Sequence, residues 1–191
     1  MNKYDLLIKN GMVHTAVESF EAEIGVSEGK ITAIGQNLGH AERVIDAEGM
    51  LVLPGGIDAH CHIEQESSTR IMTADDFYSG SVSAAFGGNT TFLPFAAQHR
   101  GQSLREVVDT ARERARNKAV IDYGLHLIIS DPTQNVLEVE LPSLIKEGYT
   151  SFKVYMTYEM LKINDREMLD ILALARRHGA LTMVHAENNE V

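Results

Sequence analysis

Leu51-Val52-Leu53-Pro54-Gly55-Gly56-Ile57-Asp58-Ala59-His60-Cys61-His62 is the stretch on which the fold turns. It is an apolar run that closes on two histidines two residues apart. In a strand, residues two apart point to the same side. His60 and His62 then present two imidazoles in one direction from one rigid element. That is half of a coordination shell for a first-row metal ion. Taken alone, the pair reads equally well as two incidental histidines at a strand end.

Upstream of this stretch the pattern is that of short strands. Tyr4 to Ile8, Gly11 to His14, Phe20 to Val26 and Lys30 to Ile34 are set apart by Asn10-Gly11, Glu28-Gly29 and Gly35. Asn-Gly and Glu-Gly at such spacing are hairpin signals. Val44-Ile45-Asp46-Ala47-Glu48 leads back toward the next domain. The expectation is a small β-rich domain over residues 1–53, with no chemistry of its own.

Downstream the rhythm changes. Apolar, β-branched runs recur at Leu51 to Ala59, Thr90 to Phe95, Tyr123 to Ile129, Thr150 to Tyr155 and Leu181 to His185. The last four are spaced by about 30 residues, the length of a βαβ unit. Helical patterns lie between them. Ala74 to Ala85 follows a Thr73 cap, with Asp75 and Asp76 in the first turn. Ser103 to Lys118 opens on Ser103 and Glu106, a capping-box pair. Val136 to Glu147 stops at Gly148, and Asn164 to His178 stops at Gly179. Alternation of this kind predicts a parallel sheet covered by helices. A complete eight-fold α/β barrel takes roughly 250 residues. Residues 54–191 therefore predict an α/β fold with about five strands: an open sheet or part of a TIM-type barrel, between which composition does not choose.

Composition narrows the function classes. The 191 residues include 17 Lys+Arg against 27 Asp+Glu, a formal charge of -10. Such a balance argues against a nucleic-acid or anionic-membrane surface. The single cysteine, Cys61, excludes an internal disulfide framework and fits a reducing compartment. No apolar stretch approaches the ~20 residues of a membrane span. The first residues lack a signal-peptide pattern, so a soluble cytoplasmic protein is expected.

Three motifs, read together, carry more. They are Gly55-Gly56-Ile57-Asp58-Ala59-His60-Cys61-His62, Thr150-Ser151-Phe152-Lys153-Val154-Tyr155-Met156-Thr157-Tyr158 and Val184-His185-Ala186-Glu187-Asn188. The set resembles the cyclic amidohydrolases, and most closely their hydantoinase/dihydropyrimidinase branch. The resemblance extends over essentially the whole chain. It implies a barrel with a two-metal site, usually zinc, at the carboxyl ends of its strands. His60 and His62 match the pair that holds the first metal. Lys153 matches a lysine that takes up CO2 as a carbamate bridging both metals, and His185 matches a ligand of the second. Tyr158 matches a tyrosine that hydrogen-bonds the developing oxyanion. The implied reaction is opening of a cyclic amide, of hydantoin or dihydropyrimidine type, to an N-carbamoyl amino acid by a metal-bridged hydroxide. The implied partners are a small cyclic substrate and, in the full-length protein, further copies of the chain. A further His ligand and the Asp that would serve as general base are expected on later strands. On that reading this is the N-terminal part of an enzyme, which need not be active alone.

The chemistry makes sense of these residue types. Burial favours the neutral amine of a lysine, the form that can be carboxylated. Two cations sharing one water lower its pKa toward neutrality, and a tyrosine hydroxyl can stabilise a tetrahedral oxyanion. Allantoinase-like and dihydroorotase-like hydrolysis stay open as alternatives. So does a different class, a non-catalytic fragment or assembly partner.

The remaining polar residues divide by position. Strand alternation turns Cys61 away from its neighbours and into the core. His126 is expected as a hydrogen-bonded core histidine, and His14, His40 and His178 as surface or hinge residues. His99 and Arg100 are expected at the rim. Residues 111–116, rich in arginine, read as a solvated helix face. Glu64-Gln65-Glu66 departs from the apolar residues more usual there, and is expected at the mouth of the pocket.

Overall fold

The structure, a computed structural model, describes residues 3–67 and 70–190. The chain divides into two compact units, Met1–Gly55 and Gly56–Val191.

The first unit is a sheet of five strands: β1 (Tyr4–His14), β2 (Ser19–Ser27), β3 (Lys30–Gly35), β4 (Ala41–Asp46) and β5 (Leu51–Val52). The order is β3-β2-β1-β4, with β5 also paired to β1. The Glu28-Gly29 hairpin forms as expected: Ser27 pairs with Lys30, and both turn residues have positive φ. The Asn10-Gly11 hairpin does not form. β1 runs straight through it, with a register shift between Ile8 and Gly11 and Asn10 at φ 61°. The pair makes a bulge, in which Asn10 Nδ2 donates to Asp46 Oδ1 at 2.9 Å. A Cβ on Gly11 would stand 2.5 Å from Val52 Cγ2, so glycine is needed where β5 closes on β1. Of residues 44–48, read above as a connection, Val44, Ile45 and Asp46 belong to β4, a strand parallel to β1.

The expected single run Leu51 to Ala59 is two strands. β5 belongs to the first unit, and β6 (Gly56–Cys61) opens the second. Pro54 lacks the N–H that would continue a ladder, which separates them.

The second unit holds β6, α1 (Phe77–Phe86), β7 (Asn89–Ala97), α2 (Leu104–Ala115), β8 (Asp122–Tyr123), β9 (His126–Ile128), a π-helical turn (Val136–Glu140), α3 (Leu141–Lys146), β10 (Ser151–Tyr155), α4 (Asp165–His178) and β11 (Leu181–His185). The five principal strands are parallel in the order β11-β10-β9-β7-β6. This is a curled half-barrel sheet. Among the described residues no helix is long and apolar enough to cross a membrane.

The caps differ in detail from the sequence reading. α1 starts on Asp76, not Thr73: Asp76 and Ser79 form the capping box. Thr73 is used elsewhere, its Oγ1 accepting from Gln65 N. α2 does start on Ser103, whose side chain accepts from Glu106 N. The N–H groups of Leu104 and Arg105 are met by the carboxylate of Glu140, from the π turn. An anion at a helix N-terminus is favoured by the orphan donors there. α4 starts on Asn164, which forms a capping box with Glu167, and ends as expected on Gly179 at φ 72°.

β10 shows how the sheet sorts its side chains. Phe152 and Val154 are fully buried in a cluster with Leu104, Leu127, Leu144 and Leu174. Each such side chain contributes about 2 kcal/mol by leaving water. Ser151, Lys153 and Tyr155, alternating with them, are only half-buried. The helices therefore cover one face, and the polar residues of the strands stand on the other.

Candidate active site at the carboxyl ends of the strands

His60 lies near the end of β6 and His62 one residue beyond it. Their rings are 5.5 Å apart between centroids, as period-two alternation requires. Phe95, on β7, is the wedge that holds both. It meets His60 edge-on at 4.8 Å and stacks on His62 at 5.1 Å. His62 Nδ1 also lies 2.7 Å from Gln65 Oε1. Burial, and then the positive charges of His62, Lys153 and His126, hold the His60 imidazole below its ordinary pKa, against the pull of Asp58. Three basic side chains, from the β6 end, β9 and β10, thus bear on His60.

Lys153 pairs in register with Ile128 on β9 and Met183 on β11. Its Nζ lies 5.4 Å from the centroid of the Tyr155 ring, and no carboxylate pairs with it among the described residues. Tyr155 is the register partner of His185, and their rings stack at 5.5 Å. Tyr158, at φ 69°, turns back so that its ring lies 5.1 Å from His185 and 6.0 Å from Tyr155. A bulky residue at positive φ is held there by its surroundings. A turn follows it, in which Leu161 N and Lys162 N both donate to Tyr158 O, and Arg100 reaches from the loop after β7 to Lys162 O at 2.8 Å. His185 Nε2 is 2.7 Å from Glu187 Oε2.

The predicted residues therefore form two groups, His60 with His62, and Tyr158 with His185, and Lys153 stands on the strand beside the second while its charge reaches the first. Among the described residues, no three His, Cys, Asp or Glu side chains converge on a single metal position. The donors at the β6 end do fit a divalent cation: two imidazoles side by side at the end of one strand, near a lysine that no carboxylate pairs with among the described residues. The β11 end fits less directly, because Glu187 engages His185 Nε2.

Sequence reasoning missed Phe95, Gln65, Tyr155 and Glu187. Tyr155 and Glu187 carried a signal, each lying two residues from a candidate and so on its face. Phe95 and Gln65 carried none, since their roles depend on strand pairing and loop path. Glu64, Gln65 and Glu66 do line a cavity, together with His99 and Glu106, but the Glu64 carboxylate is not free there. It accepts from Phe77 N and pairs with Lys118 Nζ at 3.0 Å, while Arg114 holds the Glu64 carbonyl. Cys61 packs on the cluster of Ile63, Phe77 and Phe92, and burial pushes its thiol up to about 11. His126 is buried, with its ring nitrogens at Ser151 Oγ and Ala59 O.

Comparison with known proteins agrees with this geometry. Residues 51–191 match the model of the amidohydrolase family. The D-hydantoinase of Geobacillus stearothermophilus is 47% identical over 97% of this chain, which covers 40% of that enzyme. A D-hydantoinase structure superposes with a TM-score of 0.93 at 48% identity, again over 97% of this chain and 40% of the other. The dihydropyrimidinase structure from Brevibacillus agri NCHU1002 gives 0.92 at 43% identity over the same shares. The chain spans about 40% of the length of these relatives. A curled parallel sheet with paired histidines at the end of its first strand, and relatives this near along its whole described length, lead to one conclusion: the chain belongs to the amidohydrolase family.

Proposed function

We propose that this chain carries part of the active site of a metal-dependent cyclic amidohydrolase that opens hydantoin- or dihydropyrimidine-type rings to N-carbamoyl amino acids. The observation that carries the reading is the 47% identity to a D-hydantoinase over nearly the whole chain. The polar residues on the open face of the sheet support it.

His60 and His62 hold one divalent cation, with zinc the expected metal, and Lys153 and His185 contribute to a second. Metals bound there supply Lewis acidity toward the ring carbonyl and bring the pKa of water toward neutrality. Lys153 is suited to capture CO2 because it stands half-buried beside the candidate histidines, with no carboxylate paired to it among the described residues; its neutral amine would add to CO2 with release of one proton. The resulting carbamate is an anionic oxygen donor made from this chain. Tyr158 presents a phenol on a turn that is braced by Arg100, where its O–H can donate to the oxyanion of the opening amide. His185 bonds Glu187 at present, so its ligation requires either its other nitrogen or a turn of the Glu187 side chain.

The test begins with the 191-residue chain, zinc and 13C-labelled bicarbonate. A carbamate signal that disappears in Lys153→Ala, and zinc uptake that falls in His60→Ala, are expected. Hydantoin and dihydrouracil are then assayed with the chain joined to the strands its relatives carry beyond it. Ring opening that is indifferent to chelator, or absent on every cyclic amide, overturns the reading.

A further inference from the structure

The loop after β6 contains a hydrogen bond with a consequence for His62. Gln65 Oε1 stands 2.7 Å from His62 Nδ1. An amide oxygen only accepts, so Nδ1 carries the ring proton and Nε2 keeps its lone pair. Free histidine in water favours the opposite tautomer, with the proton on Nε2. The local fold therefore selects the minor form.

Gln65 is placed to do this firmly. Its N–H donates to Thr73 Oγ1 at 3.1 Å, and its carbonyl accepts from Thr73 N at 3.0 Å. Glu64 N donates to Asp75 O at 2.8 Å on one side, and Glu66 bridges to Met72 on the other. The returning chain thus pins three successive residues. Glu64, next to Gln65, is itself fastened to both α1 and α2. The plane of the His62 ring is set separately, by its stack on Phe95 at 21°. With the plane fixed by an aromatic neighbour and the proton fixed by an amide, Nε2 is the nitrogen left to bind.

We infer that Gln65 is a positioning residue: it holds His62 as the Nδ1–H tautomer, with Nε2 available to a metal. The inference rests on the metal-dependent reading above and adds to it the residue that supports one ligand. It also gives Gln65 a role that its sequence position alone, at a presumed pocket mouth, did not suggest. Partners of this kind commonly hold ligating histidines, and losing them weakens metal binding by roughly 10- to 100-fold.

The experiment uses the 15N-labelled, metal-free chain at a pH where the imidazole is neutral. Long-range 1H–15N correlation reads the tautomer of His62 directly. Wild type is expected as Nδ1–H. Gln65→Met keeps the length of the side chain but cannot accept, and should return His62 to the Nε2–H form. Gln65→Glu can still accept, and should keep Nδ1–H. Zinc titration should show a loss of roughly 10- to 100-fold in Gln65→Met and recovery in Gln65→Glu. A change of stability alone would alter neither tautomer nor the Met-against-Glu contrast. Nε2–H in the wild type, or a Gln65→Met chain with unchanged tautomer, overturns the inference. A tautomer that follows Gln65 in a chain that binds no zinc supports the Gln65–His62 link and overturns the metal reading instead.

Discussion

At the β6 end of the sheet His62 rests on Phe95 and Gln65, and the loop behind it is tied down by Thr73, Asp75, Arg114 and Lys118. At the β11 end His185 has a hydrogen bond to Glu187, two residues along and largely exposed, and the stacked rings of Tyr155 and Tyr158. Both ends carry a candidate ligand on the same face of the same sheet. They differ in what lies behind it. β6 is an edge strand whose following loop folds onto two helices, so its polar groups are held by backbone N–H and ammonium donors. β11 is the opposite edge, and Leu181 on it is 64% exposed. Preorganisation of a ligand comes from packing on its far side, and among the described residues the β6 end has more of it.

The largest expected effect lies at Glu64. Glu64→Ala leaves Phe77 N without its acceptor and leaves Lys118 only its longer contact with Asp76 at 3.7 Å, and should cost about 3 kcal/mol in urea unfolding. A loss below about 1 kcal/mol would mean that the β6 end is no better anchored than the β11 end.

Gly80→Ala tests the packing under the same loop. A Cβ there would stand 2.7 Å from Ile63 Cδ1, one residue past His62. The better helix former is expected to lose, by about 1–2 kcal/mol, because the clash outweighs the propensity. Stabilisation would show that Ile63 gives way freely, and that α1 does not hold the end of β6.

Glu187→Ala should change stability by less than about 1 kcal/mol, as for an exposed pair. Its informative readout is the mobility of the His185 ring by NMR. A ring as restrained as before would show that the tyrosines suffice, and would narrow the contrast between the two ends.

The smallest effect is a pH dependence away from both ends. Arg105 grips Glu147 through two bonds of 2.6 Å, which hold the Glu147 carboxyl below its ordinary value of 4.5. A depressed carboxyl stabilises the fold above 4.5, and the contribution fades as pH falls toward the folded value. Glu147→Gln should flatten that part of a stability–pH curve. An unchanged slope would assign the acid sensitivity to other carboxylates.

The elements were legible where local chemistry is strong. Asn164 and Gly179 mark α4 at its two ends, and they do so in the structure. Glu28-Gly29 marks its hairpin, because two residues at positive φ suit that turn. Asn10-Gly11 has the same local signal and makes a bulge instead. β4 and β5, from later in the chain, pair with β1 and keep it extended. The α1 cap moved from Thr73 to Asp76 for a similar reason: Thr73 is committed to Gln65.

The candidate site divides in the same manner. Spacing alone put His60 with His62 on one face, because a strand has a period of two, and the same period, applied to Lys153, would have found Tyr155. It could not say that Phe95 would lie between two imidazoles, that Gln65 would reach back to one of them, or that Glu187 would occupy the other group's histidine. Those contacts depend on which strands become neighbours and where a loop returns. They are set by burial of Phe152, Leu127 and their cluster on the far face of the sheet. The chemical character of the site was therefore written in residue type and period, while the support of each ligand was decided only when the strands were packed side by side.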